Sequence, residues 1–238
     1  MKFCAPLVRG RLLLRYKRFL ADVKLDNGSI VTAHCANPGS MASIKEPGSE
    51  VWLSPAQNKN RKLQFTWEII RIGSTLVGVN TNLPNKLVTE AINLNLISEL
   101  NGYETLKNEI NYGKNSRIDI FLTAKGRPDC YVEVKSTTLK RDLSDQGPVE
   151  FPDAVTTRGA KHLRELTDMV SNGCRSVMFY LVQRDDALNF QVAADIDPDY
   201  ANAFKVAVKA GVEILCYSCH LTTEEVTIGS ALKVKLPQ

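Results

Sequence analysis

Three side chains have the types and spacing for phosphodiester chemistry. Asp119 lies in Ser116-Arg117-Ile118-Asp119-Ile120, while Glu133 and Lys135 stand two apart in Tyr131-Val132-Glu133-Val134-Lys135. Both runs read as β and as neighbouring strands of a hairpin, turned at Lys125-Gly126-Arg127-Pro128-Asp129. Residues two apart on a strand share a face, so Glu133 and Lys135 project together while Val132 and Val134 enter the opposite, apolar side. Charges in the middle of buried-looking strands are costly unless they are paired or hold a cation. If the register brings Asp119 alongside, two hard oxygen ligands and one ammonium converge. Such a pair suits Mg²⁺ (or Mn²⁺), which takes one or two carboxylates and completes its shell with water and phosphate oxygens. A cation there polarises a phosphodiester and lowers the pKa of bound water. Lys135 would orient that water or stabilise charge developing on the phosphate. The competing reading is a salt bridge from Lys135 to Asp119 or Glu133, contributing at most ~1 kcal/mol if exposed.

The elements around these residues predict an α/β domain over 83–238. Leu87, Val88, Ala91, Ile92, Ile97 and Leu100 recur at helical spacing and end at Asn101-Gly102. Three β-rich runs follow at 104–112, 116–124 and 130–137. A loop through Gln146-Gly147-Pro148 leads to an amphipathic helix over 154–170, a buried strand at 176–182 and a helix over 198–210. Strands at 212–221 and 226–236 complete the order αβββαβαβ, which requires a mixed central sheet with helices on its faces. On the helix over 154–170, Ala160, Leu163, Leu166 and Val170 gather on one side. Arg158, Lys161 and Glu165 face the other way, with His162 on the flank. By spacing alone, Arg158 and Lys161 read as a solvated helix face.

The first 82 residues read differently. The chain carries +4 overall, but residues 1–80 hold 12 Lys+Arg against 5 Asp+Glu, a net of +7, and the remainder carries −3. Arg9, Arg11, Arg15, Lys17 and Arg18 sit within ten residues, interleaved with Tyr16 and Phe19, which offer rings to stack on bases. That excess predicts a polyanionic partner, DNA or RNA; the alternative is a strand edge guarded by charge. Short β runs at 12–18, 19–25, 29–33, 50–54, 63–71 and 75–79 alternate with turn signals such as Asp26-Asn27-Gly28, Asn37-Pro38-Gly39 and Ile72-Gly73-Ser74. A basic barrel of this size fits an oligonucleotide-binding (OB) fold over 1–82, with the boundary in Thr81-Asn82-Leu83-Pro84-Asn85.

With 44% hydrophobic and 24% charged residues, the 238-residue chain is an ordinary globular sequence, not a disordered, collagen-like or coiled-coil one. No apolar run approaches the ~20 residues of a membrane span, and no secretory segment is legible, so a cytoplasmic protein is expected. The six cysteines are expected to be reduced. Cys216-Tyr217-Ser218-Cys219-His220 matches a haem-attachment string, but the alternation around it reads as a buried strand.

The order of elements, with Asp119 and then Glu133-x-Lys135 on the next strand, resembles the PD-(D/E)xK phosphodiesterase superfamily, although Ile118 stands where the name-giving proline would be. That resemblance makes Asp119, Glu133 and Lys135 the catalytic set. It adds Glu90, on the first helix, as a further metal ligand beside Asp119 and Glu133, and sets Arg158 and Lys161 beside the metal site as phosphate contacts. Longer strings allow a sharper match. RYKRFLADV at 15–23, AHCANPGSM at 33–41, EVKSTTL at 133–139, FPDAVT at 151–156 and RGAKHLREL at 158–166 resemble the sugar fermentation stimulation protein A family along the length of the chain. The resemblance implies an OB-like front domain, a nuclease-like rear domain, DNA binding and a link to sugar, especially maltose, metabolism. The implied function is largely sequence-independent DNA binding with a Mg²⁺-dependent nuclease site; the alternative is a non-catalytic DNA-binding regulator on a vestigial nuclease fold. A redox or metal role for Cys216 and Cys219 is the third possibility.

Overall fold

The computed structural model describes residues 1–113, 116–144 and 146–236. In the front part, β1 (Val8–Tyr16), β2 (Leu20–Leu25) and β3 (Ile30–His34) form an antiparallel meander. β4 (Glu50–Pro55) pairs with β1 and with β5 (Phe65–Ile72), and β5 meets β3 at His34–Thr66. Those five strands close an OB barrel, and β6 (Thr75–Gly78) extends β5. Alternation decides its interior: Leu12, Val23, Ala33, Val51, Leu53 and Trp67 are fully buried, while Arg9 and Arg11 stay outside.

The β1–β2 turn places Lys17 and Arg18 at φ 47° and 63°, both left-handed, as a tight hairpin demands. Neither is glycine, so the turn is strained, and guanidinium bonds hold it. Arg15 donates to the Arg18, Asn37 and Gly39 carbonyls at 2.9 Å, and Arg18 donates to the Pro38 carbonyl at 2.8 Å. The loop they grip reaches across to the rear part, where the Met41 N–H donates to Asp153 at 3.1 Å. A Cβ on Gly39 would overlap the Asp153 carboxylate. Gly39→Ala is therefore expected to lower stability by about 1–3 kcal/mol, read as a fall in the urea midpoint; an unchanged midpoint would show that this junction is loose.

In the rear part, α1 (Pro84–Asn93) starts with proline at its first turn. β7 (Thr105–Tyr112), β8 (Ser116–Thr123) and β9 (Cys130–Thr137) form an antiparallel run. β10 (Val149–Phe151) precedes α2 (Thr157–Ser171), which the Thr156 hydroxyl caps by accepting from the Gly159 N–H at 3.1 Å. β11 (Arg175–Val182), β12 (Asn189–Val192), α3 (Pro198–Ala210), β13 (Glu213–Leu221), β14 (Val226–Ala231) and β15 (Lys233–Lys235) follow. The main sheet has the order β14-β13-β11-β9-β8-β7, with β9, β11 and β13 parallel. α1 covers one face with Leu87, Val88 and Ala91; α2 and α3 cover the other with Leu163, Leu166 and Phe204. Trp52 and Ile69 of the barrel join the α1-side core, and the Gly78 N–H donates to the Gln183 carbonyl at 2.8 Å.

Three expectations need correction. The helix expected to run to Leu100 stops at Asn93, because Asn95 turns left-handed at φ 56° and only a 3-10 turn, Ser98–Leu100, follows; Ile97 and Leu100 keep their burial after the helix has ended. The single strand expected over 226–236 divides at Leu232 into β14, on the main sheet, and β15. A small parallel sheet, β10-β12-β15, was absent from the expected order, because strands of three or four residues carry too little alternation to be read. Cys216 and Cys219 lie on β13 in opposite core layers, and His220 is exposed, so the three side chains do not converge. Burial pushes the Cys219 thiol up to about 12. Among the described residues no helix is long and apolar enough to cross a membrane.

Candidate active site

β8 and β9 pair only as far as Ile120–Val132. Beyond that point the strands part, and the Asp119 side chain fills the gap. Its Oδ2 accepts the Val134 N–H at 2.7 Å, and its Oδ1 accepts from Asn85 Nδ2, on α1, at 2.7 Å. Divergence of the hairpin thus places Asp119 beside the Glu133–Lys135 segment. Glu133 is 2% exposed, and Lys135 Nζ donates to its Oε1 at 2.6 Å. Val132 and Val134 enter the α1-side core, so the expected alternation holds.

The two carboxylates respond to each other. Burial first, and then the charge of Glu133, push Asp119 up to about 6, against the Val134 N–H, Lys135 and Asn85. Burial also pushes Glu133 upward, but Lys135 and His162 together hold it below the ordinary carboxylate value. Glu133 Oε2 is buried without a hydrogen-bond partner among the described residues. A buried carboxylate oxygen facing no donor, next to an acid that resists ionisation, is the signature of negative charge awaiting neutralisation. Asp119 and Glu133 therefore fit a two-carboxylate Mg²⁺ or Mn²⁺ site.

Glu90 does not complete a three-acid set. It borders the same cavity as Asp119, but its carboxylate is 2.9 Å from the Met1 ammonium. Among the described residues no three His, Cys, Asp or Glu side chains gather closely enough to hold a metal. The reason is local: α1 presents Asn85 to Asp119, and Glu90, five residues on, lies about 140° around the helix.

α2 contributes more than the sequence suggested. His162 is buried, and its Nδ1 contacts Glu133 Oε1 and lies 3.3 Å from Lys135 Nζ. Arg158 Nε donates to His162 Nε2 at 3.3 Å. Glu165, expected on the outward face with Arg158 and Lys161, is instead buried; Lys161 Nζ lies 3.6 Å from its Oε1. Tyr112 completes the surround, its hydroxyl pushed upward by burial and then by Glu133, Glu165 and Asp119. The missed signal was positional: His162 lies one turn from Leu166 and next to Leu163, on the seam that faces the sheet.

Two cavities open beside these groups. One, of about 780 Å³, is bordered by Asp119, Asn85, Lys86 and Thr81. The other, of about 630 Å³, is bordered by Tyr112, Arg117, Arg158, Lys161 and His162. The expected Arg158 and Lys161 are therefore gathered at the site, with Arg117 as an unforeseen third cation.

The basic residues of the barrel are more engaged than expected. Arg9 pairs with Glu50, which also accepts from Arg71 Nε at 2.8 Å, and Arg11 donates to the Gly48 carbonyl at 3.0 Å. Tyr16 donates to Asp22 at 3.2 Å, and Arg15 and Arg18 clamp the 37–39 loop. Tyr16 and Arg15 are partly buried by these bonds, whereas Arg9, Arg11, Lys17, Arg18 and the Phe19 ring remain exposed. The clamped loop leads to the site, since the Thr81 hydroxyl, at the Asp119 cavity, donates to the Ala36 carbonyl at 2.8 Å.

An OB barrel fused to an αβββαβ mixed-sheet domain, with an acid on the second strand of that core and Glu-x-Lys on the third, defines a two-domain protein with a PD-(D/E)xK nuclease-like rear domain. Sequence and structure comparisons agree. A family model described as "Sugar fermentation stimulation protein RE domain" matches residues 82–225, and one described as "SfsA N-terminal OB domain" matches 13–79. A sugar fermentation stimulation protein homolog of Rhodospirillum rubrum is 59% identical over 228 residues, covering 93% of each chain. One of Paramagnetospirillum magneticum is 52% identical over 238 residues, covering 100% of this chain and 99% of its own. The structure of Pyrococcus furiosus SfsA in complex with Ca²⁺ superposes with a TM-score of 0.87 at 26% identity, covering 99% of this chain and 98% of that one. The chain belongs to the sugar fermentation stimulation protein family.

Proposed function

We propose that this protein binds DNA, or RNA, through its basic barrel with little sequence preference and hydrolyses phosphodiester bonds at Asp119, Glu133 and Lys135. The observation that carries this reading is the buried pair of acids, one raised to about 6 and the other with an unpartnered oxygen, beside an ammonium. When bound, Mg²⁺ or Mn²⁺ supplies Lewis-acid polarisation of the phosphate and a more acidic water. Asp119 and Glu133 would hold it. The Ca²⁺ complex of the Pyrococcus furiosus relative supports a divalent-cation site in this family. Lys135 sits on the same strand face as Glu133, where it holds that carboxylate and offers a proton donor to charge developing on the scissile phosphate. Arg117, Arg158 and Lys161 offer positive charge to flanking phosphates, which positions the strand without reading its sequence.

The test is cleavage of plasmid, single-stranded DNA and RNA by the purified chain with Mg²⁺ or Mn²⁺ against EDTA. Metal-dependent cleavage is expected, and none on any polymer would overturn the enzymatic reading. A non-catalytic DNA-binding role draws support from Asp119, both of whose oxygens already accept protein hydrogen bonds; it predicts binding without cleavage. Either role requires phosphate contacts, so affinity in fluorescence anisotropy should fall linearly on log–log axes as salt rises. A flat salt response would remove nucleic acid as the partner.

A further inference from the structure

The nuclease reading assigns no task to His162, yet this residue and Lys135 both contact the same oxygen of the buried acid. Its surroundings determine its tautomer. Arg158 Nε–H can only donate, so the 3.3 Å contact makes His162 Nε2 an acceptor and puts the ring proton on Nδ1. That Nδ1–H points at Glu133 Oε1. Lys135 Nζ and His162 Nδ1, 3.3 Å apart, are then both donors, and they converge on one oxygen rather than bonding to each other. With two donors on Oε1, the carboxylate is pinned in one orientation, and Oε2 is the oxygen left buried and unpartnered.

We propose that His162 is a positioning residue: held as the Nδ1–H tautomer by Arg158, it anchors Glu133 Oε1 so that Oε2 is presented to a divalent cation. This rests on the reading of Asp119 and Glu133 as a cation pair. The arrangement also links the cation to the nucleic acid, because Arg158 borders the cavity assigned to flanking phosphates and at the same time sets the His162 tautomer. A partner of a cation ligand that fixes its orientation typically changes affinity by about 10–100-fold when removed.

The test uses side chains of matched reach. Asn places its Nδ2 donor where His Nδ1 lies, whereas the Gln donor falls nearer the Nε2 position. Calorimetric titration of the full chain with Mn²⁺, and separately with Ca²⁺, compares wild type with His162→Ala, His162→Asn and His162→Gln. His162→Ala and His162→Gln are expected to weaken binding about 10–100-fold, and His162→Asn to stay within about threefold of wild type. If His162→Ala does not fold, the Asn and Gln variants carry the comparison alone. In wild type, ¹⁵N chemical shifts of the imidazole should report protonated Nδ1 and bare Nε2, and Arg158→Ala should remove that bias. Equal affinity in the Asn and Gln variants, or an Nε2–H ring in wild type, overturns the positioning role alone. Failure of wild type to bind either cation overturns the functional reading on which it rests, and the positioning role with it.

Discussion

Lys135→Met is expected to cut cleavage by about 10²–10³-fold while leaving divalent-cation binding in place, whereas Glu133→Gln should remove both. The difference follows from what each group does for its neighbours. Lys135 Nζ lies 2.6 Å from Glu133 Oε1 and helps hold that carboxylate ionised inside the fold. Without the ammonium, Glu133 keeps the His162 donor on Oε1, and the buried site loses a positive charge that a bound cation can replace. Cation affinity should therefore hold or rise while the donor to the developing phosphate charge is gone. Glu133→Gln keeps the shape of the side chain but removes the charge that would hold the cation, and it leaves Lys135 without its counter-ion. Breaking a buried pair from one side commonly costs about 3–5 kcal/mol, so circular dichroism and a thermal melt must show that both variants are folded. The paired readouts are a nuclease assay and calorimetry. Lys135→Met with near-wild-type cleavage would make the ammonium a structural counter-ion only.

Asp119→Asn should stabilise the protein at pH 7–8 in EDTA by about 2–3 kcal/mol, and that gain should vanish below about pH 4. Burial and the Glu133 charge raise the Asp119 carboxyl from 3.8 to about 6 in the folded chain. The native state thus binds the proton more tightly than the unfolded state does. Below the unfolded value Asp119 is protonated in both states and imposes no penalty. As pH rises through about 6 the folded chain must accept a poorly solvated charge, and stability falls. Asparagine never ionises, so its advantage appears only on the alkaline side. Its amide oxygen can still accept the Val134 N–H. Urea midpoints at pH 4, 5, 6 and 8 check this, and a pH-independent difference would sink the account of Asp119 as a charge-stressed acid. Mn²⁺ should narrow the gap at pH 8, because a bound cation compensates the wild-type carboxylate alone.

Both predictions use residues that could be read from one dimension. Asp119, Glu133 and Lys135 were legible because they break the apolar pattern of strands otherwise fit for a core, and two-residue spacing puts Glu133 and Lys135 on one face. Arg158 and Lys161 were legible through helical spacing. Glu90 borders the Asp119 cavity but pairs with the Met1 ammonium, since a carboxylate on the right helix says nothing about which side of that helix meets the sheet. Here the meeting point is Asn85. Glu165 reads as outward from its angle on the helix, opposite the apolar side, yet it is buried beside Tyr112 and Gly113.

Sequence alone thus determined the alternating basic barrel, the αβββαβ order and the acids on adjacent strands, because these follow from periodicity, turn chemistry and charge, which are local. Only the tertiary structure decided that β8 and β9 part beyond Ile120–Val132 and admit Asp119 to the Val134 N–H. It alone turned His162 inward onto Glu133 and spent Arg15 and Arg18 on the loop that joins the two halves. Those choices depend on where a strand pair ends, which helix face meets a sheet and which carbonyls lie within reach of a guanidinium. Each is a contact between residues far apart in the chain, and no spacing along the chain encodes it.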